Sequence, residues 1–400
     1  MTDHRIVAQG QAAGPAAERA ARAFALVADW LFSDPMAQLL AEFGEQLPEA
    51  GSGSVKAGDM TGWLLPHEEL PDWLDRIAAG GATSVDGLSA AQVDTLCRAL
   101  VIERIAAEDF NFRTRDGQQY RERVQAVTGN FRPEFRERVS ELTDQLGLVN
   151  PQNPPRFGRY DKTLILGGGY VFPLLRARYA AQLRAQGIDL GEMYFLGSPR
   201  FLIEDPPERP VAETYAPGAT DEFDLMVGAA HAEFGLVSAG TEFLCGCSSA
   251  REQCPRWSAR GADGAERTPP AYTHERRADL VDSAGRTVAS VLSASTGRPP
   301  YRPDTSDTFS LWARYAKPAA GQRVLVITNQ VFVPFQTFDA LRRLYLPHAV
   351  DVDVVGFAAD GDYPPQTAEY LLQETLSAIR SGRRLLVEAA QKLTGAPSIA

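Results

Sequence analysis

Carboxylates beside arginines, hydroxyls and amides are the raw material for holding an anion and moving a proton, and this sequence gathers them at a few points. Asp221-Glu222 opens a predicted helix, Arg302-Pro303-Asp304-Thr305-Ser306-Asp307-Thr308 leads into another, and Thr328-Asn329-Gln330 follows an apolar run. Glu222 and Asp307 are the best general acid or base candidates. Arg200 and Arg302 would neutralise an anion through guanidinium forks. Asp304, Thr305, Thr308, Asn329 and Gln330 would orient it by hydrogen bonding. Gly167, Gly168 and Gly169 would let backbone N–H groups approach it closely.

Each feature has a plainer reading. Three glycines also serve a tight turn, and Arg200 also suits a surface pair with Glu204 or Asp205. Acids in a first helical turn favour the macrodipole without further purpose. One of Asp304, Thr305, Ser306, Asp307 and Thr308 must cap the helix, and the amides after residue 327 could simply form a polar turn. Cys245-Gly246-Cys247, Cys254 and the distant His231 and His274 could make a zinc site, a redox pair or inert loop cysteines. Their spacing matches neither a zinc ribbon nor an iron–sulfur pattern, so no metal ligands are assigned. His231 reads as a packed or surface histidine. The chain carries no nucleophile elbow, HExxH or P-loop, and no nicotinamide fingerprint. Hydrolysis or group transfer therefore fits better than redox, and no cofactor is named.

Short buried strands alternating with helices would position these groups. Thr163–Leu166, Met193–Leu196, Val288–Leu292, Arg323–Ile327 and Val350–Phe357 form a set of about five, with helical patterns between them. That alternation predicts parallel pairing by right-handed crossovers. The fold class is α/β: a doubly wound, mostly parallel, Rossmann-like sheet. In such a sheet ligands bind beyond the carboxyl ends of the strands. Residues 1–148 read as a helical N-terminal domain. Ser89 and Gln92 form a capping-box signature ahead of Val93, Leu96, Leu100 and Val101. Three prolines among Pro151, Pro154 and Pro155 place a linker at 149–160 and the α/β domain at 161–400.

The 400 residues are 44% hydrophobic and 23% charged, values of a globular chain with core enough for two domains. A formal net charge of −11 argues against general nucleic-acid or anionic-membrane binding, which needs a positive face. No secretory leader or membrane span is read, and four cysteines do not make a disulfide framework, so a cytoplasmic protein is expected.

Residues 160–360 resemble a divergent member of the DUF218 (YdcF/SanA/ElyC-like) family. The likeness rests on Leu164-Ile165-Leu166-Gly167-Gly168-Gly169 with Arg178, Ala181 and Gly187 in the next helix. It continues in Asp221-Glu222 with Met226 and Gly235, in Thr305-Ser306-Asp307-Thr308, and in Ile327-Thr328-Asn329 through Pro334. Phe332 and Phe335 stand where that family usually has a His and an Arg, Asp307 stands for its usual Asn, and 237–285 looks like an insertion. The resemblance implies a polar pocket for a small anionic, nucleotide-like or phosphorylated molecule. A non-catalytic ligand-binding module is the alternative. A protein-interaction module, resting on the mixed-charge stretch Arg113–Arg123, ranks behind it.

Overall fold

The computed structural model describes residues 16–50, 71–78, 84–113, 128–151, 154–203, 207–244, 275–296, 302–358 and 366–395. In chain order the helices α1 Ala16–Leu31, α2 Asp34–Ala41, α3 Asp72–Ala78, α4 Ala90–Asp109 and α5 Pro133–Gln145 come first. Then follow β1 Lys162–Leu166, α6 Phe172–Ala185, β2 Glu192–Gly197, α7 Arg209–Ala212, α8 Glu222–Phe234, β3 Val237–Phe243, β4 Arg276–Val281 and β5 Thr287–Ser293. The chain closes with α9 Thr305–Ala316, β6 Arg323–Asn329, α10 Val333–Ala340, α11 Leu346–His348, β7 Asp351–Phe357 and α12 Ala368–Thr394.

These elements form two units: 153–329 with 350–357, and 1–152 with 330–349 and 358–400. The proline-rich segment does coincide with a cut, between residues 152 and 153. However, the chain beyond 161 is not all one domain, because α10, α11 and α12 cluster with the first helices. The physical reason lies in α12. Its 27 residues bury Leu371, Leu372, Leu376, Ile379, Leu385 and Leu386, and α1, α4, α5 and α10 pack around it. The helix is buried on most of its sides, with polar Gln373, Glu374, Ser381 and Arg383 inside as well as the apolar residues, so other helices must cover it on most sides. Inside this unit Arg383 Nε meets Glu103 Oε2 at 2.7 Å with both side chains buried. The expected capping box is present, with Ser89 Oγ accepting from Gln92 N at 3.3 Å and Gln92 Oε1 from Ser89 N at 2.8 Å.

The other unit is an α/β sheet of order β3-β4-β5-β2-β1-β6-β7. The five central and right-hand strands, β5, β2, β1, β6 and β7, are mutually parallel and are the five read from the sequence. β3 and β4 were not expected. They form an antiparallel arm on the β5 edge, within the stretch taken as an insertion. Ile165, Phe195, Val291 and Ile327 on one sheet face pack with Ala177, Leu183, Leu225, Met226 and Ala229 of α6 and α8. Tyr194, next along β2, points the other way and meets Trp312 of α9 edge-on at 5.9 Å between ring centres. Helices thus cover both faces, which explains the continuous apolar strands. No helix among the described residues is long and apolar enough to cross a membrane.

One buried ion pair ties the arm to the sheet's helical cover. Arg276 of β4 meets Asp221, the N-cap of α8, at 2.5 Å, with the side chains 3% and 0% exposed. The guanidinium also lies 4.3 Å above the Phe223 ring. Arg276→Leu strands the Asp221 carboxylate in the interior, so it should cost about 3–5 kcal/mol, read as a lower urea midpoint for unfolding. A loss under about 1 kcal/mol, the size of an exposed pair, would show that Asp221 reaches water.

Candidate functional site

Register and alternation decide what stands at the carboxyl edge of the parallel strands. Leu166 pairs with Leu196, Gly197 with Ser293, Ile165 with Ile327, and Asn329 with Phe357. Continued by one pleat, this sets Ser293, Gly197, Gly167 and Asn329 in one row on the face covered by α6 and α8. Two glycines in the middle leave room above the row, and Glu222 fills it. A Cβ built on Gly167 would collide with Glu222 Oε1, and one on Gly169 with the Arg200 guanidinium and the Glu208 carboxylate. These glycines are therefore required by the approach of charged side chains. A backbone cradle for a ligand is not needed to explain them.

Glu222 is the first residue of α8, placed by the Asp221 cap, whose side chain accepts from Asp224 N. Its carboxyl accepts from Ser198 Oγ at 2.7 Å and lies 3.9 Å from Arg200 Nε. Arg200, 4% exposed, bridges both Glu208 oxygens through one nitrogen at 3.0 and 3.1 Å. Ile203 N also donates to Glu208 at 2.9 Å. Burial pushes the Glu222 carboxyl above its ordinary value of 4.5, against the pull of Arg200, Ser198, Arg302 and Arg176. Three guanidinium groups therefore act on one buried carboxyl. Nearby, burial and then the Glu208 charge hold the Tyr215 phenol protonated well above its usual range. Tyr215 Oη donates at 2.8 Å to the carbonyl of Tyr170, a residue at φ 60° directly after the glycines. A left-handed tyrosine is uncommon and strained.

The second polar group of the row is Asn329. Arg176 Nε donates to its Oδ1 at 2.6 Å, while Arg176 Nη1 donates to the carbonyls of Leu166, at 3.0 Å, and Gly167. Asn329 Nδ2, Thr328 Oγ1 and Ser293 Oγ are buried and find no partner among the described residues. A buried donor left unpaired costs about 1–3 kcal/mol, so such groups call for an explanation in the site's chemistry.

Of the residues singled out by sequence, Gly167, Gly169, Arg200, Glu222, Arg302 and Asn329 converge here, with Gly168 packing near Phe172 and Arg176. The polar entry to α9 is built differently. Asp304 accepts from Asp307 N at 3.1 Å, and the Asp307 carboxylate accepts from Asp304 N at 3.0 Å, a capping box. Thr308 Oγ1 donates to the Thr305 carbonyl at 2.8 Å. Gln330 belongs to the helical unit, where its Nε2 donates to the Gly147 carbonyl at 2.7 Å. Phe332 is buried there against Tyr370.

Arg176, Ser198 and Glu208 were missed. Arg178, the arginine that carried the resemblance, is half-exposed and pairs with Glu233 at 3.1 Å. An open cleft of about 250 Å³ lies away from the row, lined by Gly240, Glu242, Arg277 and Asp279 at the β3–β4 edge. Its charges already satisfy one another, Arg277 with Asp279 at 2.5 Å and with Glu242 at 3.4 Å. Among the described residues no group of three His, Cys, Asp or Glu side chains could hold a metal ion. Cys245, Cys247, Cys254, His274 and most of the Arg113–Arg123 stretch lie outside the described residues.

Comparison with known proteins gives relatives of the same length class. Uncharacterized proteins of Mycobacterium bovis and Mycobacterium tuberculosis are 31% identical to the chain over 269 residues, 66% of its length and 70% of theirs. No family model and no solved structure matches it.

Two outcomes test this geometry. Gly167→Ala puts a methyl where the Glu222 carboxyl lies, so it should destabilise by roughly 1–3 kcal/mol; calorimetry checks it, and an unchanged melting temperature would contradict the packing. A raised carboxyl pKa means that the neutral form stabilises the fold. That contribution is complete below pH 4.5 and is lost as pH rises through the higher folded value. Glu222→Gln, which stays neutral, should therefore gain stability relative to wild type as pH increases above 4.5. A pH-independent difference would mean that Glu222 is ionised like an ordinary glutamate.

Proposed function

The chain belongs to the family of these uncharacterized mycobacterial proteins, and we propose that its α/β unit binds a small anionic, nucleotide-like or phosphorylated molecule and carries out hydrolysis or group transfer on it. The observation that carries this reading is the buried Glu222 carboxyl set among Arg200, Arg302 and Arg176 at the strand ends. Arginines would take up the ligand's negative charge, and a neutral Glu222 would give a proton to a leaving oxygen, or take one from water once ionised. A doubly wound, Rossmann-like reading of the sheet, with a helical N-terminal domain and a DUF218-like site, agrees with where the shared motifs fall. Leu164–Gly169 ends β1, Asp221-Glu222 starts α8, Thr305–Thr308 starts α9 and Thr328-Asn329 ends β6. The sparse cysteines fit a cytoplasmic setting.

A non-catalytic binding module is the second reading, and one observation favours it. Asp307, the other acid candidate, has its carboxylate on the Asp304 N–H in the helix cap, a structural use that a two-acid mechanism with Glu222 does not require.

Thermal unfolding of the full chain with nucleotides, sugar phosphates and inorganic phosphate separates these possibilities. A bound anion at about 100 times its Kd adds roughly 2.7 kcal/mol, which raises the melting temperature by several degrees. Arg302→Ala should remove most of that shift, and Glu222→Gln should keep binding but abolish turnover. Ligand recovered unchanged from wild type would select the binding module. No shift with any anion would reject both readings.

A further inference from the structure

We propose that the Asn329 side-chain amide is an oxyanion donor of this site and that Arg176 is the positioning residue that aims it. The inference rests on the anion-binding reading and narrows it to the group that faces β1 and β6.

The argument begins with what each atom can do. A guanidinium only donates hydrogen bonds, so the amide atom 2.6 Å from Arg176 Nε must be the oxygen of Asn329. The NH2 then points away from Arg176, and it is buried with no partner among the described residues. Arg176 is itself fixed, because a second nitrogen donates to the carbonyls of Leu166 and Gly167. Turning the amide over would set N–H against N–H, so its direction is imposed. Both side chains are buried, at 0% and 2% exposure.

The location adds a second, independent argument. From β1 the chain runs to β2 and β5 on one side, then returns to place β6 and β7 on the other. Strand order reverses between β1 and β6, which is where open parallel sheets take their ligands. Asn329 ends β6 at that junction, and across Gly167 stands the Glu222 carboxyl. Two N–H bonds aimed from a buried amide, next to the donor-only guanidinium of Arg176, present donors at this junction. The group they suit accepts without donating: a phosphoryl or carboxylate oxygen, and not an amine. Neutral donors fit an oxyanion here because the guanidinium groups already supply the counter-charge.

The test uses the full chain labelled with 15N-asparagine. The Asn329 side-chain NH2 signal, assigned by its loss in Asn329→Asp, should move on titration with inorganic phosphate or malonate. The malonate arm separates a carboxylate from a phosphoryl source, and a response to either supports the proposal. Asn329→Asp should weaken that binding at least tenfold, with the fold kept by the new Asp–Arg176 pair. In Arg176→Lys the amide signal should be displaced before any ligand is added and should respond weakly to it, whereas a merely structural Arg176 would leave the signal's response intact. Full-strength phosphate binding by Asn329→Asp, or an NH2 signal that ignores a bound anion, would overturn the proposal while leaving the anion reading in place. Wild type that binds neither probe would remove both.

Discussion

A carboxyl group taken out of water must be neutral or matched by charge, and the carboxyl edge of the α/β sheet is organised around that requirement at Glu222. Burial favours its protonated form, while Arg200, Arg302 and Arg176 favour its anion, and burial prevails. The guanidinium groups oppose the shift that burial imposes without cancelling it. Glu208 contributes by occupying Arg200. With both Glu208 oxygens on its terminal nitrogen at 3.0 and 3.1 Å, Arg200 reaches Glu222 only at 3.9 Å. A closer approach would turn Glu222 into a simple ion-pair partner.

The glycines follow from the same constraint. Backbone N–H groups around an anion explain a Gly-rich strand end in many α/β proteins, but here Gly167 and Gly169 admit a carboxyl and an arginine–glutamate pair from the neighbouring strand and helix. Charge at this edge is thus placed by side chains, and the main chain makes way for them. Tyr170 at φ 60° marks where the loop absorbs the consequence: the chain turns out of the row within one residue so that α6 can begin at Phe172 and bring Arg176 over the strand ends.

Much of this was legible in the residues. Continuous apolar runs gave five strands because strands buried on both faces leave no polar alternation to mislead the eye. Glu222 was visible as an acid in the first turn of a predicted helix. Arg176 was not, because it and Arg178 lie two residues apart on one helix, about 200° around its axis, and only the packed structure shows which one faces the strand ends. Glu208 is brought to Arg200 across eight residues of chain, a contact that no periodicity records. The membership of α10 to α12 in the helical unit is longer-ranged still, since it depends on which surfaces α12 must cover. The α9 entry shows a second use for residues of this kind. Its density of polar residues suggested ligand contacts, and one use of Asp304 and Asp307 is a capping box that joins each carboxylate to the other's backbone N–H.

The neighbouring acids Asp221 and Glu222 show how the added arm enters the site. One is the N-cap of α8 and the other its first residue, so their side chains leave the helix start in different directions. Asp221 goes to Arg276 on β4, and Glu222 goes over Gly167 on β1. The helix start is therefore held from both sides, by an ion pair on the arm and by Ser198 at the end of β2. β3 and β4 contribute no group to the row itself. They fix the rotation of α8 about its axis, and that rotation decides whether the carboxyl of Glu222 lies in the interior among guanidinium groups or turns out to water.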